Sequence, residues 1–147
     1  MISNPRSNVF VDWSLDLVQH CSDQEPPFPW KKIGCSWHDF QATPENLPVI
    51  LRSLEATKAR AFLKLVTMAT CGEDVHRVRA LFENRYDKRP LIAFAMGEIG
   101  MQSRRECLGW GSAGTYGYIP GSHRTAPGQL SIAELLQDPQ VREALKL

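Results

Sequence analysis

The strongest constraint on the fold comes from two runs, AFLKLV (61–66) and LIAFAM (91–96), which are apolar at successive positions rather than at alternate ones. A strand with one solvated face alternates, so a run apolar on both sides belongs to a parallel sheet covered by helices. Three further stretches of strand length, VFVDWSL (9–15), KIGCS (32–36) and SAGTYGYI (112–119), sit at intervals that suit a βα repeat. The first run extends to Thr67, giving about five strands in all. Between the third and fourth, GEDVHRVRALFEN places Val75, Val78, Leu81 and Phe82 on one helical face with charges opposite. TPENLPVILRSLEA opens with Thr43 and Asn46 as candidate caps, and its prolines fit only a first helical turn. CSDQEPPFPW reads as an irregular loop that interrupts the first βα unit. The class is α/β.

A chain of 147 residues with 43% hydrophobic content makes one globular domain. Its 17 Lys and Arg balance 16 Asp and Glu along the chain, which leaves no electrostatic footprint for nucleic acid or an anionic membrane. A small neutral or acidic ligand is the expected partner. No stretch approaches the length of a membrane span, and MISNPRSNVF lacks the layout of a secretion signal, so a cytoplasmic location is expected. The cysteines at 21, 35, 71 and 107 form no CxxC pair, and Cys35 with His38 reads as a core thiol beside a strand end rather than as a metal site.

Three features carry chemistry. Ligands of parallel α/β folds gather at the carboxyl ends of strands, where loops and helix N-termini converge. His38 in SWHDF stands at such an end, placed either to exchange a proton with a ligand or merely to hydrogen-bond a loop. Lys64 interrupts an apolar strand on the same side as Phe62 and Val66. Buried without a partner, its amine would lose its proton easily and attack carbonyls; on an edge strand its head would simply reach water. Gly109, Gly111 and Gly114 match GxGxxG with Glu134 twenty residues on, but a helix-like stretch precedes them and a strand-like one follows, the reverse of a dinucleotide site. The loop from Gly121 to Gln129 offers hydroxyl, guanidinium and amide groups suited to a polyhydroxylated or carboxylate ligand.

Taken in order, SWHDF followed by TP, FLKLVTMA followed by EDV, AMGEIGMQSR, GWGSAGTYG and TAPGQ resemble the type I 3-dehydroquinate dehydratases from about residue 33 to about residue 136. That resemblance implies a (β/α)8 barrel that converts 3-dehydroquinate to 3-dehydroshikimate, on the shikimate route to aromatic amino acids, through a lysine Schiff base without metal or cofactor. It makes Lys64 the imine-forming lysine and His38 the base and acid. Arg104 matches the arginine that holds the substrate carboxylate, and Gln129 matches a substrate-contacting glutamine. Thr125 stands where the family usually has serine.

A (β/α)8 barrel takes about 250 residues. Residues 1–147 are therefore expected to form one partial barrel domain whose five strands correspond to strands 4 to 8, with strands 1 to 3 absent. With those strands go the acidic residue that assists the histidine and several substrate contacts; the acidic residue expected after Asp12 also lacks a match, since Trp13 and Ser14 follow. An unclosed sheet exposes its edges, so a homo-oligomer or a partner chain that completes the barrel is expected. Two functions stay open: a lyase, or a non-catalytic remnant or ligand-binding module.

Overall fold

The computed structural model describes residues 9–21, 23, 25–83 and 85–147. Strands β1 (Val11–Ser14), β2 (Ile33–His38), β3 (Leu63–Met68) and β4 (Leu91–Met96) form one sheet in sequence order. Every neighbouring pair is parallel. The connections are α1 (Leu15–His20) with a short 3-10 turn at Trp30–Lys32, then α2 (Leu47–Glu55) and α3 (Gly72–Ala80). After β4 come the short helices α4 (Gly97–Gly100), α5 (Ser103–Glu106), α6 (Ile132–Gln137) and α7 (Pro139–Leu145). Among the described residues no helix is long and apolar enough to cross a membrane.

Register explains both kinds of burial. The pairings Cys35 with Leu63, Leu63 with Leu91 and Leu65 with Ala93 put these residues on one face. There they pack with Leu47, Leu51, Leu54, Val78 and Leu81 into the main core. Residues of the other parity (Ser36 opposite Lys64, Val66 opposite Phe94, Met68 opposite Met96) form the inner face. That face is closed over β3 and β4 by Cys107, Leu108, Trp110 and Ala126. Both faces of β3 and β4 are thus covered, which is why their sequences do not alternate. Gly34 on the inner face of β2 makes room for Phe62: a Cβ there would lie 2.2 Å from the ring.

At the opposite end of the sheet, Arg89 ties the α2–β3 loop to the start of β4. Its guanidinium donates to the carbonyls of Glu55, Thr57 and Ala59 and pairs with Asp87, so none of these loop carbonyls needs a strand partner.

The expected fifth strand is not formed. Ala113 N–H donates to the Leu91 carbonyl at 2.8 Å, but the neighbouring Ala93 N–H is taken by the Ser112 hydroxyl at 3.3 Å, so no backbone ladder develops. Ser112 Oγ also donates to the Gly114 carbonyl, bending the chain away from β4. Gly117 then passes so close to α6 that a Cβ would lie 2.9 Å from a Leu135 methyl, and Tyr118 makes only an isolated bridge with Ser131. The sheet has four strands, and the segment read as the fifth crosses the inner face as a loop. Strand β1 is likewise shorter than VFVDWSL, because Ser14 caps α1 by accepting from Leu17 N–H. No described strand pairs with the outer edge of β1.

Candidate active site

The carboxyl ends of β2, β3 and β4 open on a cavity of about 160 Å³ lined by His38, Lys64, Arg104, Thr125 and Gln129 together with Phe94, Met96 and Tyr116. The five residues that the resemblance picks out therefore line one cavity. His38 is the last residue of β2, and Lys64 lies on the inner face of β3.

Lys64 is largely enclosed, its side chain 13% exposed, yet it is not unpartnered. Its Nζ lies 3.2 Å from Asp12 Oδ2 and 4.5 Å from the centre of the Tyr116 ring. The sequence reading considered a dry, unpaired amine; the structure gives it a carboxylate and an aromatic face. Asp12 can reach across because β2 presents only the small Ser36 opposite Lys64, the space over Gly34 being filled by Phe62.

The His38 ring stacks on Phe40 at 5.9 Å. Burial, and then the positive charge of Lys64, push the imidazole below its ordinary range, against a smaller opposing pull from Asp12. At neutral pH it is therefore a neutral imidazole, able to accept a proton.

Arg104 is held on α5, and α5 is fixed to β4 by Ser103, whose hydroxyl accepts from Ala95 N–H at 2.8 Å and donates to the Gly100 carbonyl at 2.6 Å. The arginine is 1% exposed. Its guanidinium lies 4.5 Å over the Phe94 ring and touches the carbonyls of Tyr116 and Pro127 only at 3.4 Å. Among the described residues its Nε has no partner, and no carboxylate pairs with it. Burial pushes this guanidinium down to about 10, so it still carries its charge at neutral pH. A buried cation without a counterion, lining a cavity, is a place for an anion.

Gln129 and Thr125 are bound to each other. Gln129 Oε1 accepts from Thr125 N–H at 2.8 Å and from its hydroxyl at 3.1 Å, which leaves the amide NH2 as the donor this loop can offer a ligand. The loop is seated by backbone against backbone: Gly97 N–H donates to the Pro127 carbonyl, and a Cβ on Gly128 (φ +67°) would lie 2.2 Å from the Gly97 oxygen. Gly128→Ala is expected to unseat the loop, lowering the affinity for a carboxylate ligand several-fold in a titration while the far-ultraviolet circular dichroism of the sheet and helices is kept.

The Gly109–Gly114 segment is a turn after α5 rather than a helix start, and no three His, Cys, Asp or Glu side chains among the described residues are grouped to hold a metal ion. Sequence reasoning did not assign Asp12 and Tyr116 to the site. The alternation of VDWS could have placed Asp12 on the inner face. Nothing local marks Tyr116, whose place follows from the loop that replaces the fifth strand.

The sequence profile described as type I 3-dehydroquinase matches residues 10–145. A 3-dehydroquinate dehydratase of Syntrophobacter fumaroxidans is 37% identical over 107 residues, covering 71% of this chain and 46% of that protein. The crystal structure of 3-dehydroquinate dehydratase from Geobacillus kaustophilus superposes with a TM-score of 0.76 at 27% identity, over 94% of this chain and 54% of that one. The type I enzyme from Clostridium difficile, solved with covalently modified comenic acid, gives 0.71 at 26% identity, over 94% and 56%. The chain thus spans about half the length of the curated relatives it matches, and its four-stranded α/β unit matches part of their barrels. On its sequence and its fold alike, the chain belongs to the type I 3-dehydroquinase family.

Proposed function

We propose that this chain carries the imine chemistry of a 3-dehydroquinate dehydratase, with Lys64 as the nucleophile, His38 as the base and acid, and Arg104 as the carboxylate anchor. The observation that supports it most is the meeting of an amine, a neutral imidazole and an unpaired buried guanidinium in one cavity of about 160 Å³. Each group has one task in that reaction. Arg104 takes the substrate carboxylate into a site where its charge lacks a counterion, and so fixes the ring's orientation.

The Lys64 nitrogen, having released a proton, adds to the C3 ketone; that proton and one more from the nitrogen go to the carbonyl oxygen, which departs as water and leaves a cationic imine. The positive nitrogen draws electrons from C2, whose proton passes to the His38 ring. Electrons left at C2 expel the C1 hydroxyl, which takes that proton from the imidazolium and leaves as water. Hydrolysis of the imine restores Lys64 and frees 3-dehydroshikimate. Thr125 and Gln129 close the cavity over the ring hydroxyls.

A second reading rests on the outer edge of β1, which no described strand covers: with that wall open, the chain would bind the keto acid as a module and turn it over only when a second copy or another polypeptide covers that edge. One experiment serves both. Incubation with 3-dehydroquinate and borohydride is expected to add the mass of reduced ligand to the peptide containing Lys64, and Lys64→Ala is expected to add none. Absence of an adduct at every protein concentration favours the module.

A further inference from the structure

Asp12 belongs to β1, two strands from Lys64, yet its carboxylate comes to 3.2 Å from Nζ. The charged and titratable groups that face this amine or share its cavity among the described residues are Asp12 from β1, His38 from β2, Arg104 from α5 and Tyr116, whose ring faces it from the crossing loop. Two of these are a cation and a neutral imidazole, and one is an aromatic face. Asp12 supplies the only negative charge among them.

We infer that Asp12 is the positioning residue for Lys64, keeping its nitrogen aimed into the cavity and remaining paired with the same nitrogen after it has become an imine.

The charge balance of the step makes this workable. An ammonium and a ketone give a cationic imine and one water, so the nitrogen beside Asp12 carries one positive charge before and after the bond is made. A carboxylate there opposes neither end state. It retains the charge that acidifies the adjacent carbon, and it restrains a four-carbon side chain that would otherwise sample many rotamers. The lysine end of the pair is enclosed, its side chain 13% exposed, while Asp12 stands at the exposed edge of the sheet with its side chain 31% exposed, so what the pair supplies is the direction of the amine rather than stability. This role rests on the imine chemistry proposed above, although the hold on the amine can be measured without it.

Asp12→Asn removes the charge and keeps the shape. Reductive methylation with formaldehyde and cyanoborohydride, followed residue by residue by mass spectrometry, reports how freely each amine reacts. At pH 7 the variant is expected to methylate Lys64 several-fold faster than the parent chain, with the surface lysines unchanged, because an amine released from its carboxylate reacts more readily with a small aldehyde. Trapping of 3-dehydroquinate should move the other way, at least tenfold slower, because the released amine is no longer aimed. Asp12→Glu is expected to bring both rates back toward the parent values, which a purely structural defect would not do. An unchanged methylation rate at Lys64 in Asp12→Asn overturns the assignment. A parent chain that traps no keto acid while Asp12→Asn still methylates faster sinks the dehydratase reading, and with it the pairing to an imine, and leaves only the hold of Asp12 on the amine standing.

Discussion

His38→Ala is expected to form the imine on Lys64 and go no further. Borohydride should still fix the keto acid to the Lys64 peptide, while formation of dehydroshikimate falls by about 10²–10⁴-fold, the usual contribution of a placed proton-transfer group. The two steps separate because the amine needs only the ketone, whereas removal of the C2 proton needs a base at the strand end. Stopped-flow absorbance and mass spectrometry of the trapped protein measure them independently. Loss of both would mean that His38 shapes the cavity and does not move the proton.

The pH dependence follows from burial first and from the Lys64 charge second, both of which push the imidazole below its ordinary range. The acid limb of turnover should therefore lie below the usual imidazole value, since the base stays neutral to lower pH. For stability the sign is fixed by the same displacement. The unfolded chain takes up its proton first as pH falls, so folding loses stability below the ordinary imidazole range, and His38→Ala should lose less over that window. Urea titrations of the two proteins across that range make the comparison.

How much of this was legible from the residues depends on what fixes each one. His38 and Lys64 are set by local pattern: a polar group where an apolar strand ends, and a charge inside one. Alternation of period two also predicts that Lys64 shares a face with Val66, as the register has it. Asp12 is different. Its contact with Lys64 crosses β2 and exists because only a serine, Ser36, stands opposite Lys64 on that strand, a fact of register between strands far apart in sequence. Tyr116 was hidden by a wrong element. SAGTYGYI has strand composition, but Ser112 spends its hydroxyl on the Ala93 N–H and Gly117 is pressed against α6, and neither partner is visible in the run itself. Helix α1 itself was obscured in the same way, because the Ser14 cap lies inside a stretch that reads as β. Hydrogen bonds from side chains to distant backbone decided these cases, and periodicity does not encode them.

Arg104→Met is expected to weaken ligand binding by orders of magnitude and at the same time to strengthen the fold. The guanidinium is 1% exposed, has no counterion, leaves Nε without a partner and reaches carbonyls only at 3.4 Å. Burial that pushes it well below the ordinary guanidinium range, down to about 10, corresponds to a cost on the order of 3 kcal/mol, carried at neutral pH where the group is charged in both folded and unfolded chains. Its stacking on Phe94 returns part of that cost. Methionine keeps an unbranched apolar stem and a polarisable end against the same ring, so the variant should unfold at higher urea, with a gain of about 1–3 kcal/mol. Affinity for a carboxylate ligand should fall by about 10²–10³-fold, the equivalent of losing a charge-assisted pair of hydrogen bonds. Arg104→Lys separates charge from shape: it keeps the cation but not the planar fork, and its affinity should lie between the two. If Arg104→Met unfolds at lower urea than the parent chain, the carbonyl contacts and the ring outweigh desolvation, and the arginine is part of the core. If it unfolds later and no longer binds, the chain gives up stability to keep an unpaired charge where the ligand's carboxylate will sit.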